Sequence, residues 1–356
     1  MHQPNFNRIA AADIKEVLAR DIPWQEFSGT TIVITGASGF LGGYLLRTLL
    51  GLYSVGLVDK PVLVIGLVRD VPRARKLLAE VVNDSHLRLV QWDLNQIAVP
   101  PLGDCNYVLH AASLASPKYY GNDPVGTLLP NSVGTASLLS AFQQSKDPRG
   151  FLFVSSSEVY GSVSSDEPIQ EDVFGSLNPA AIRSCYSESK RMGEALCVAW
   201  QGQFDMPTFI VRPFHTYGPG LRPDDGRVFS DFSYNIVRGE DIVMMSDGQA
   251  RRAFCYVTDA IAGFYTVLLK GRPATPYNVA NPAGELSVFE LAELLINLYP
   301  EKKLEIVRKV PVDNHSYLAS TFSRLVPDVK RLVELGWKAD ISPSKGFRRM
   351  IEAHSP

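Results

Sequence analysis

Two stretches carry side chains that could do chemistry together. Tyr186 and Lys190 stand four residues apart in the segment CYSESKR, so on a helix a phenol and an ammonium face the same way. An ammonium beside a phenol favours the phenolate and draws its pKa down from about 10 towards neutral pH. Such a phenol can take a proton from an alcohol or sugar hydroxyl while a nicotinamide takes the hydride. The other stretch is FLFVSSSEVYG, an apolar run over residues 151–154 followed by Ser155, Ser156, Ser157 and Glu158. A short apolar run of this kind reads as a buried strand of a parallel sheet, and ligands of open α/β sheets bind at the carboxyl ends of the strands. A Tyr and a Lys at this spacing are also common on solvated helix faces, so the pair takes its meaning from the rest of the chain.

The elements that would position them start near the N-terminus. Residues 31–35 (TIVIT) read as a buried strand, followed by Gly36, Ser38, Gly39, Phe40, Leu41 and Gly42 and a helical run over 43–50. Glycines so spaced permit a tight turn and let backbone and helix N-terminus approach a pyrophosphate. Their GxxGxxG spacing is a variant of the GxGxxG fingerprint. Residues 62–68 read as the next strand. An acid at its end would select NAD through the ribose hydroxyls, whereas an arginine accommodates a 2′-phosphate. Arg69 stands there, with Asp70, Arg73 and Arg75 behind it, which leans towards NADP; the plainer reading of Arg69 is a solvated loop charge. Residues 87–92 form a further strand, with Asp93 and Leu94 placed beside an adenine ring. Residues 107–110 form another, ending in Ala111, Ala112 and Ser113, small enough for backbone to approach a cofactor. His110 reads as a strand-end packing residue. With a helix over 131–142 and strands from 151 and over 207–211, the alternation predicts an α/β fold, a Rossmann-like doubly wound parallel sheet with right-handed crossovers.

From Arg212 the texture changes to RPFHTYGPGLRPDDGRVFSDF, rich in Pro, Gly, Asp and Arg as binding loops are. Shorter strands and helices over 260–269, 288–298 and 328–335 then predict a smaller C-terminal α/β part closing over the sheet edge, an interface where ligand sites form. Residues 10–20 have helical periodicity and read as a packing appendage. The 356 residues carry 35 Lys and Arg against 37 Asp and Glu, a net charge of −2, which excludes a nucleic-acid or anionic-membrane footprint. Cys105, Cys185, Cys197 and Cys255 have no metal-ligand spacing and read as buried thiols. Asp224, Asp225 and the isolated histidines fit no ligand set either, so no metal is expected. The longest apolar runs are strand length and no leader pattern is present. A soluble cytoplasmic protein is the expectation.

TGASGFLGG, SSSEVYG and YSESK in that order resemble the extended short-chain dehydrogenase/reductases that act on nucleotide sugars, over roughly residues 30 to 350. Within them the chain is most similar to the UDP-glucuronate decarboxylases. The likeness rests on HAASLASP at 110–117 with Tyr119 or Tyr120, NSVGT at 131–135, RSCY at 183–186, YGP at 217–219, DDGRV at 224–228, RAFCYVTD at 252–259, PDVK at 327–330 and LGW at 335–337. It implies residues 29–212 with 240–272 as the dinucleotide-binding domain, and 213–239 with 273–356 as the nucleotide-sugar-binding domain. Residues 1–28 form a helical appendage outside the likeness.

The resemblance further implies that Tyr186 is the acid/base and that Lys190 tunes it and holds the cofactor ribose, with Pro213 also lining the cofactor. Ser157 would hydrogen-bond the reacting oxygen of the sugar, Glu158 would work near C5, and Ser116, Tyr119, Tyr120, His215, Arg227 and Arg252 would surround the nucleotide sugar. The two arginines suit the diphosphate. His215 is a departure, since these decarboxylases typically have Asn there. The implied reaction oxidises the sugar at C4, loses the C5 carboxylate as carbon dioxide and reduces C4 again. A 4,6-dehydratase would use Glu158 as a base at C5, a 4-epimerase usually lacks that acid, and Arg69 feeds an NADPH-dependent reductase reading. A non-enzymatic dinucleotide sensor would need the glycine turn but not Ser157, Tyr186 and Lys190 together. A homodimer packed through helices that include 131–142 and 186–200 is implied as well.

Overall fold

The computed structural model describes residues 4–96, 102–163, 167–223, 225–309 and 324–355, so Asp224 lies outside the described residues. A seven-stranded parallel sheet forms its centre. In chain order the strands are β1 (Thr31–Thr35), β2 (Leu63–Val68), β3 (Leu87–Gln91), β4 (Tyr107–His110), β5 (Gly150–Val154), β6 (Thr208–Pro213), then, after four short strands, β11 (Pro276–Val279). The intervening strands are β7 (Thr216–Tyr217), β8 (Ile242–Met244), β9 (Arg251–Ala253) and β10 (Cys255–Tyr256). The spatial order is β11-β6-β5-β4-β1-β2-β3, with β1 and β4 neighbours at the centre. The order reverses there, which opens a crevice at the carboxyl ends of the strands.

Alternation along each strand fills both faces. Ile32 and Ile34 of β1 join one apolar cluster and Val33 the other; Leu152 and Val154 of β5 divide from Phe151 and Phe153 in the same way. Helices cover both faces. In chain order they are α1 (Pro4–Leu18), α2 (Phe40–Ser54), α3 (Val71–Leu77), α4 (Pro117–Asn122), α5 (Pro124–Asn131), α6 (Val133–Phe142), α7 (Ser184–Phe204), α8 (Val228–Arg238), α9 (Val257–Lys270), α10 (Val288–Leu298), α11 (Lys330–Val333) and α12 (Pro343–His354). The helix expected over 131–142 is α6, starting at Val133; Asn131 ends the separate α5, and Ser132 between them has φ −109° and ψ −79°. Cys105, Cys197 and Cys255 are buried, Cys185 is half-buried, and all four are free thiols.

The smaller part is assembled from short strands after β6. β7 pairs with β10, β9 is flanked by β12 (Glu285–Ser287) and β14 (Arg324–Leu325), and β8 pairs with β13 (Ile306–Arg308). The last strand of the central sheet, β11, comes from the stretch beyond 272 that the sequence assigns to the sugar-binding part. No helix of the described residues is long and apolar enough to cross a membrane.

Helix α1 is fastened by charge as well as by its apolar stripe. Asp13 is fully buried and accepts hydrogen bonds from Tyr44 of α2 and Tyr256 of β10, each at 2.8 Å, and from Arg349 of α12 at 3.0 Å. Arg349 also grips Glu16 with two bonds of 2.6 and 2.8 Å. The appendage therefore joins the helix after the glycine turn to the C-terminal part. Burial pushes the Asp13 carboxyl up from 3.8 to about 6. Between those values the folded chain keeps a proton that the unfolded chain has released. Its contribution to stability therefore falls as pH rises through this interval and levels off above it. Asp13→Ala leaves two buried hydroxyls and part of a guanidinium unpartnered, so it is expected to cost on the order of 2 kcal/mol at neutral pH. It should also abolish the decline between about pH 4 and 6, as urea denaturation over a pH series would measure.

Candidate active site

The turn after β1 is shaped by steric exclusion. Gly36 has φ +65°, and a Cβ on it would lie 2.9 Å from the Cα of Ala112; one on Gly42 would lie 2.2 Å from the Gly36 carbonyl. No side chain but hydrogen fits at either position. Gly39 caps α2 without any side-chain bond, which leaves the first amides of the helix, from Phe40, Leu41 and Gly42, without intrahelical acceptors. Ser38 is half-buried in the turn between them. Across the crevice, the Thr35 hydroxyl donates to or accepts from His110 Nδ1 at 2.8 Å and accepts from the Ala112 amide at 3.1 Å, which ties the ends of β1 and β4 together. His110 is thus a packing and cross-linking group, its Nε2 meeting the Pro130 carbonyl and Thr135 hydroxyl. Ala111 and Ala112 line the same edge. Ser113 Oγ is buried with no hydrogen-bond partner among the described residues. An anion-receptive helix end, two glycine positions open to close approach and an orphaned hydroxyl fit a dinucleotide.

The remaining cofactor candidates lie around this edge. Asp93 is half-buried with its carboxylate on the Asn95 amide, Leu94 is buried, and Pro213 ends β6. Arg69 and Asp70 are exposed just beyond β2; the Asp70 carboxylate is already engaged as the cap of α3, accepting from the Arg73 amide at 2.9 Å.

Tyr186 and Lys190 face the sheet from α7, one turn apart, both buried. Beyond β5, residues 157–160 form a 3₁₀ turn capped by Ser156, whose Oγ accepts the Glu158 amide at 3.2 Å. The same Ser156 hydroxyl is hydrogen-bonded to the Tyr186 phenol. Ser157, the residue expected at the reacting oxygen of the sugar, is buried beside it. Glu158 is half-buried and accepts from the Ser187 hydroxyl at 3.4 Å. Tyr120 stacks on the Tyr186 ring at 4.9 Å and 13°, and its hydroxyl donates to the Ala115 carbonyl.

Lys190 Nζ donates to the Val154 carbonyl at 2.7 Å and lies 4.9 Å from the Phe153 ring centroid and 5.8 Å from that of Tyr186. Burial lowers its pKa to about 7, against the pull of Glu194. The phenol is affected oppositely to expectation. Burial raises Tyr186 to about 12, outweighing the Ser156 hydrogen bond and the Arg227 charge that lower it. Dry surroundings penalise phenolate and ammonium alike. The lysine beneath the ring therefore does not make a ready base of the tyrosine in the free protein.

A cationic wall faces this cluster. Arg227 caps the start of α8, holds Asp225 by two bonds of which the longer is 3.0 Å, and lies close enough to Tyr186 and Tyr120 to shift both phenols. The Ser116 hydroxyl donates to the Asp225 carbonyl, fastening that loop to α4. Arg252 is buried on β9, donating to the Arg251 carbonyl at 2.7 Å. Between the two guanidinium groups sits His215. Its Nδ1 is buried and unpartnered among the described residues, and burial with the charges of Arg252 and Arg227 holds the imidazole neutral, well below its usual pKa. Tyr119 is half-buried with its ring under Lys118 Nζ at 5.0 Å. The assembled crevice thus offers a dinucleotide edge, a proton-transfer cluster and a wall for an anion.

Residues 32–280 match the model of the NAD dependent epimerase/dehydratase family. The chain is 31% identical to UDP-glucuronic acid decarboxylase 6 of Arabidopsis thaliana over 327 residues, 91% of this chain and 89% of that one. UDP-glucuronic acid decarboxylase 1 of Danio rerio is 29% identical, with 91% and 72% covered. Among solved structures, UDP-glucuronic acid 4-epimerase of Bacillus cereus superposes with a TM-score of 0.73 at 22% identity, covering 91% of this chain and 98% of that one. For dTDP-glucose 4,6-dehydratase of Bacillus anthracis the score is 0.72 at 19%, with 92% and 96% covered.

Gly42→Ala is expected to weaken NADH binding by roughly tenfold or more, because the added methyl would meet the Gly36 carbonyl. Fluorescence titration, with circular dichroism to show that the fold persists, checks this.

Proposed function

The chain belongs to the NAD dependent epimerase/dehydratase family, and from that premise we propose that it decarboxylates UDP-glucuronate to UDP-xylose at a bound NAD. The observation that carries chemistry at C5, as against simple epimerisation, is Glu158. Its carboxylate lies on the Tyr186 side of the crevice, against the Ser187 hydroxyl, where it can serve chemistry at the carbon next to the one Tyr186 serves. The similarity to named UDP-glucuronic acid decarboxylases along nine-tenths of the chain supports decarboxylation over dehydration.

The amides of Phe40, Leu41 and Gly42 would hold the pyrophosphate, Ser113 would gain the partner it lacks, and Lys190 would reach the nicotinamide ribose. NAD, when bound, supplies hydride acceptance and return at C4 of the sugar. The protein's own part is proton movement and orientation. Tyr186, aligned by Ser156, takes the 4-hydroxyl proton; the rise of its pKa by burial makes the Lys190 ammonium and the Arg227 charge necessary for that step. A ketone at C4 turns the C5 carboxylate into a β-keto acid, which loses carbon dioxide. Glu158 or a water beside it delivers the proton to C5, and Tyr186 returns its proton to the C4 oxygen. Arg227, Arg252 and His215 would hold the diphosphate, and Tyr120 with Ser116 would shape the sugar end.

Met192 and Val198 of α7 are exposed, apolar surface on one of the helices implied for a homodimer, which supports that reading. Two experiments test the proposal. Incubating the protein with UDP-glucuronate and NAD should give a nucleotide sugar lighter by one carbon dioxide in mass spectrometry; an unchanged mass with UDP-galacturonate formed would mean an epimerase, and loss of water from a 6-hydroxy sugar nucleotide a dehydratase. Tyr186→Phe should lower kcat by about 10²- to 10⁴-fold with NAD binding retained, and unchanged turnover would sink the assignment of the phenol.

A further inference from the structure

Below the reacting cluster lies a charged group that the chemistry described above leaves unused. Glu194 is one turn beyond Lys190, so Tyr186, Lys190 and Glu194 form a single stripe of α7, all buried. Its carboxylate is held from two strands. Arg212 of β6 grips it with both nitrogens of its fork, Nε to Oε1 at 2.9 Å and Nη2 to Oε2 at 2.6 Å, and the Ser155 hydroxyl donates to Oε1. Arg212 is itself fixed by the Tyr160 hydroxyl at 3.0 Å and the Glu171 carbonyl at 2.8 Å, and Tyr160 donates onward to Asn278 of β11.

The placement ties together the parts that must stay in register. Val154 accepts from Lys190, Ser155 donates to Glu194, and Ser156 bonds the Tyr186 phenol. Three consecutive residues at the end of β5 are thus matched to three consecutive turns of α7. The geometry points to Glu194 as a positioning residue: clamped by Arg212 and Ser155, its carboxylate fixes the Lys190 ammonium beneath Tyr186 and the strand end that carries Ser156. This rests on Tyr186 and Lys190 being the proton-transfer pair.

A bidentate ion pair with a third donor is rigid, whereas either partner alone would be an uncompensated buried charge. Lys190 is faced by His110 from β4, Phe153 and the Val154 carbonyl from β5, and Tyr186 and Glu194 on its own helix, with Arg212 from β6 on the carboxylate of Glu194. His110 is held neutral by burial, near 3, so Glu194 is the anion of this group. It raises the Lys190 pKa against the burial that lowers it.

The test reads the pH at which Lys190 loses its proton. In Glu194→Gln the basic limb of the kcat profile with UDP-glucuronate should move to lower pH by roughly one unit, so that activity measured on that limb drops about tenfold. The move should persist in Glu194→Gln with Arg212→Met, which leaves no unpaired guanidinium. Ser155→Ala keeps the carboxylate, and should lower kcat several-fold with KM and the basic limb unchanged. A readout independent of turnover is thermal stability against pH. A depressed lysine contributes stability that rises with pH from its folded to its unfolded pKa, here from about 7 to 10.5. That rise should begin at lower pH in Glu194→Gln, and the difference should vanish on a Lys190→Met background. If Glu194→Gln fails to fold, the double variant carries the same comparison. Equal basic limbs and equal stability profiles in wild type and in the variants that replace Glu194 would overturn the inference. No turnover by the wild type with any sugar nucleotide would instead remove the proposed reaction, and the stability cycle would still decide the role of Glu194.

Discussion

An ammonium taken out of water must be compensated where it stands, and much of this crevice is organised around meeting that requirement for Lys190. Its three donors have the Val154 carbonyl, two aromatic faces and a nearby carboxylate in place of solvent. Even so burial brings its pKa to about 7, which sets it near the edge of losing its charge at neutral pH. The compensation has to be rigid, because a buried charge whose partner drifts becomes a cost of several kcal/mol. Rigidity comes from Glu194 and Arg212, which bolt α7 to β5 and β6 beneath the reacting groups.

The same low-dielectric setting explains the opposite behaviour of the phenol. Tyr186 is stacked under Tyr120 and pushed up to about 12. Positive charge nearby favours its phenolate, and Lys190 and Arg227 are the protein's contributions.

The cationic wall and the N-terminal helix show how the two parts of the chain are held to one site. Arg227 and Arg252 arise from the smaller part, while the glycine turn and α7 arise from the large sheet. Helix α1 lies outside the region matched by the family model. It reaches from Tyr44 on the helix after the glycine turn to Tyr256 and Arg349 in the C-terminal elements through one buried carboxylate. A local apolar stripe could have docked this helix to either surface; the shared carboxylate requires both at once.

Most of the large sheet was legible in the residues because a parallel strand buried on both faces must be continuously apolar, and a turn that admits no Cβ must be glycine. The strand over residues 31–35, the turn at Gly36 to Gly42, and the facing of Tyr186 with Lys190 follow from period and sterics alone. What depends on distance in space was not. Three consecutive serines carry no signal as to which one meets the phenol, since the 3₁₀ turn after β5, and not the strand period, aims Ser156. The separate helix α5, ending at Asn131 just before the expected one, is set off from α6 by the dihedral angles of Ser132. The lysine's presence was readable, but the balance between its charge and its burial was not, because desolvation depends on how many atoms from β4, β5 and β6 close around the site. Chemical type and local conformation are properties of neighbouring residues, and so the sequence by itself determined them. The protonation of Tyr186 and Lys190 and the partners of Ser156 and Glu194 are long-range electrostatic and packing terms, which only the tertiary structure decided.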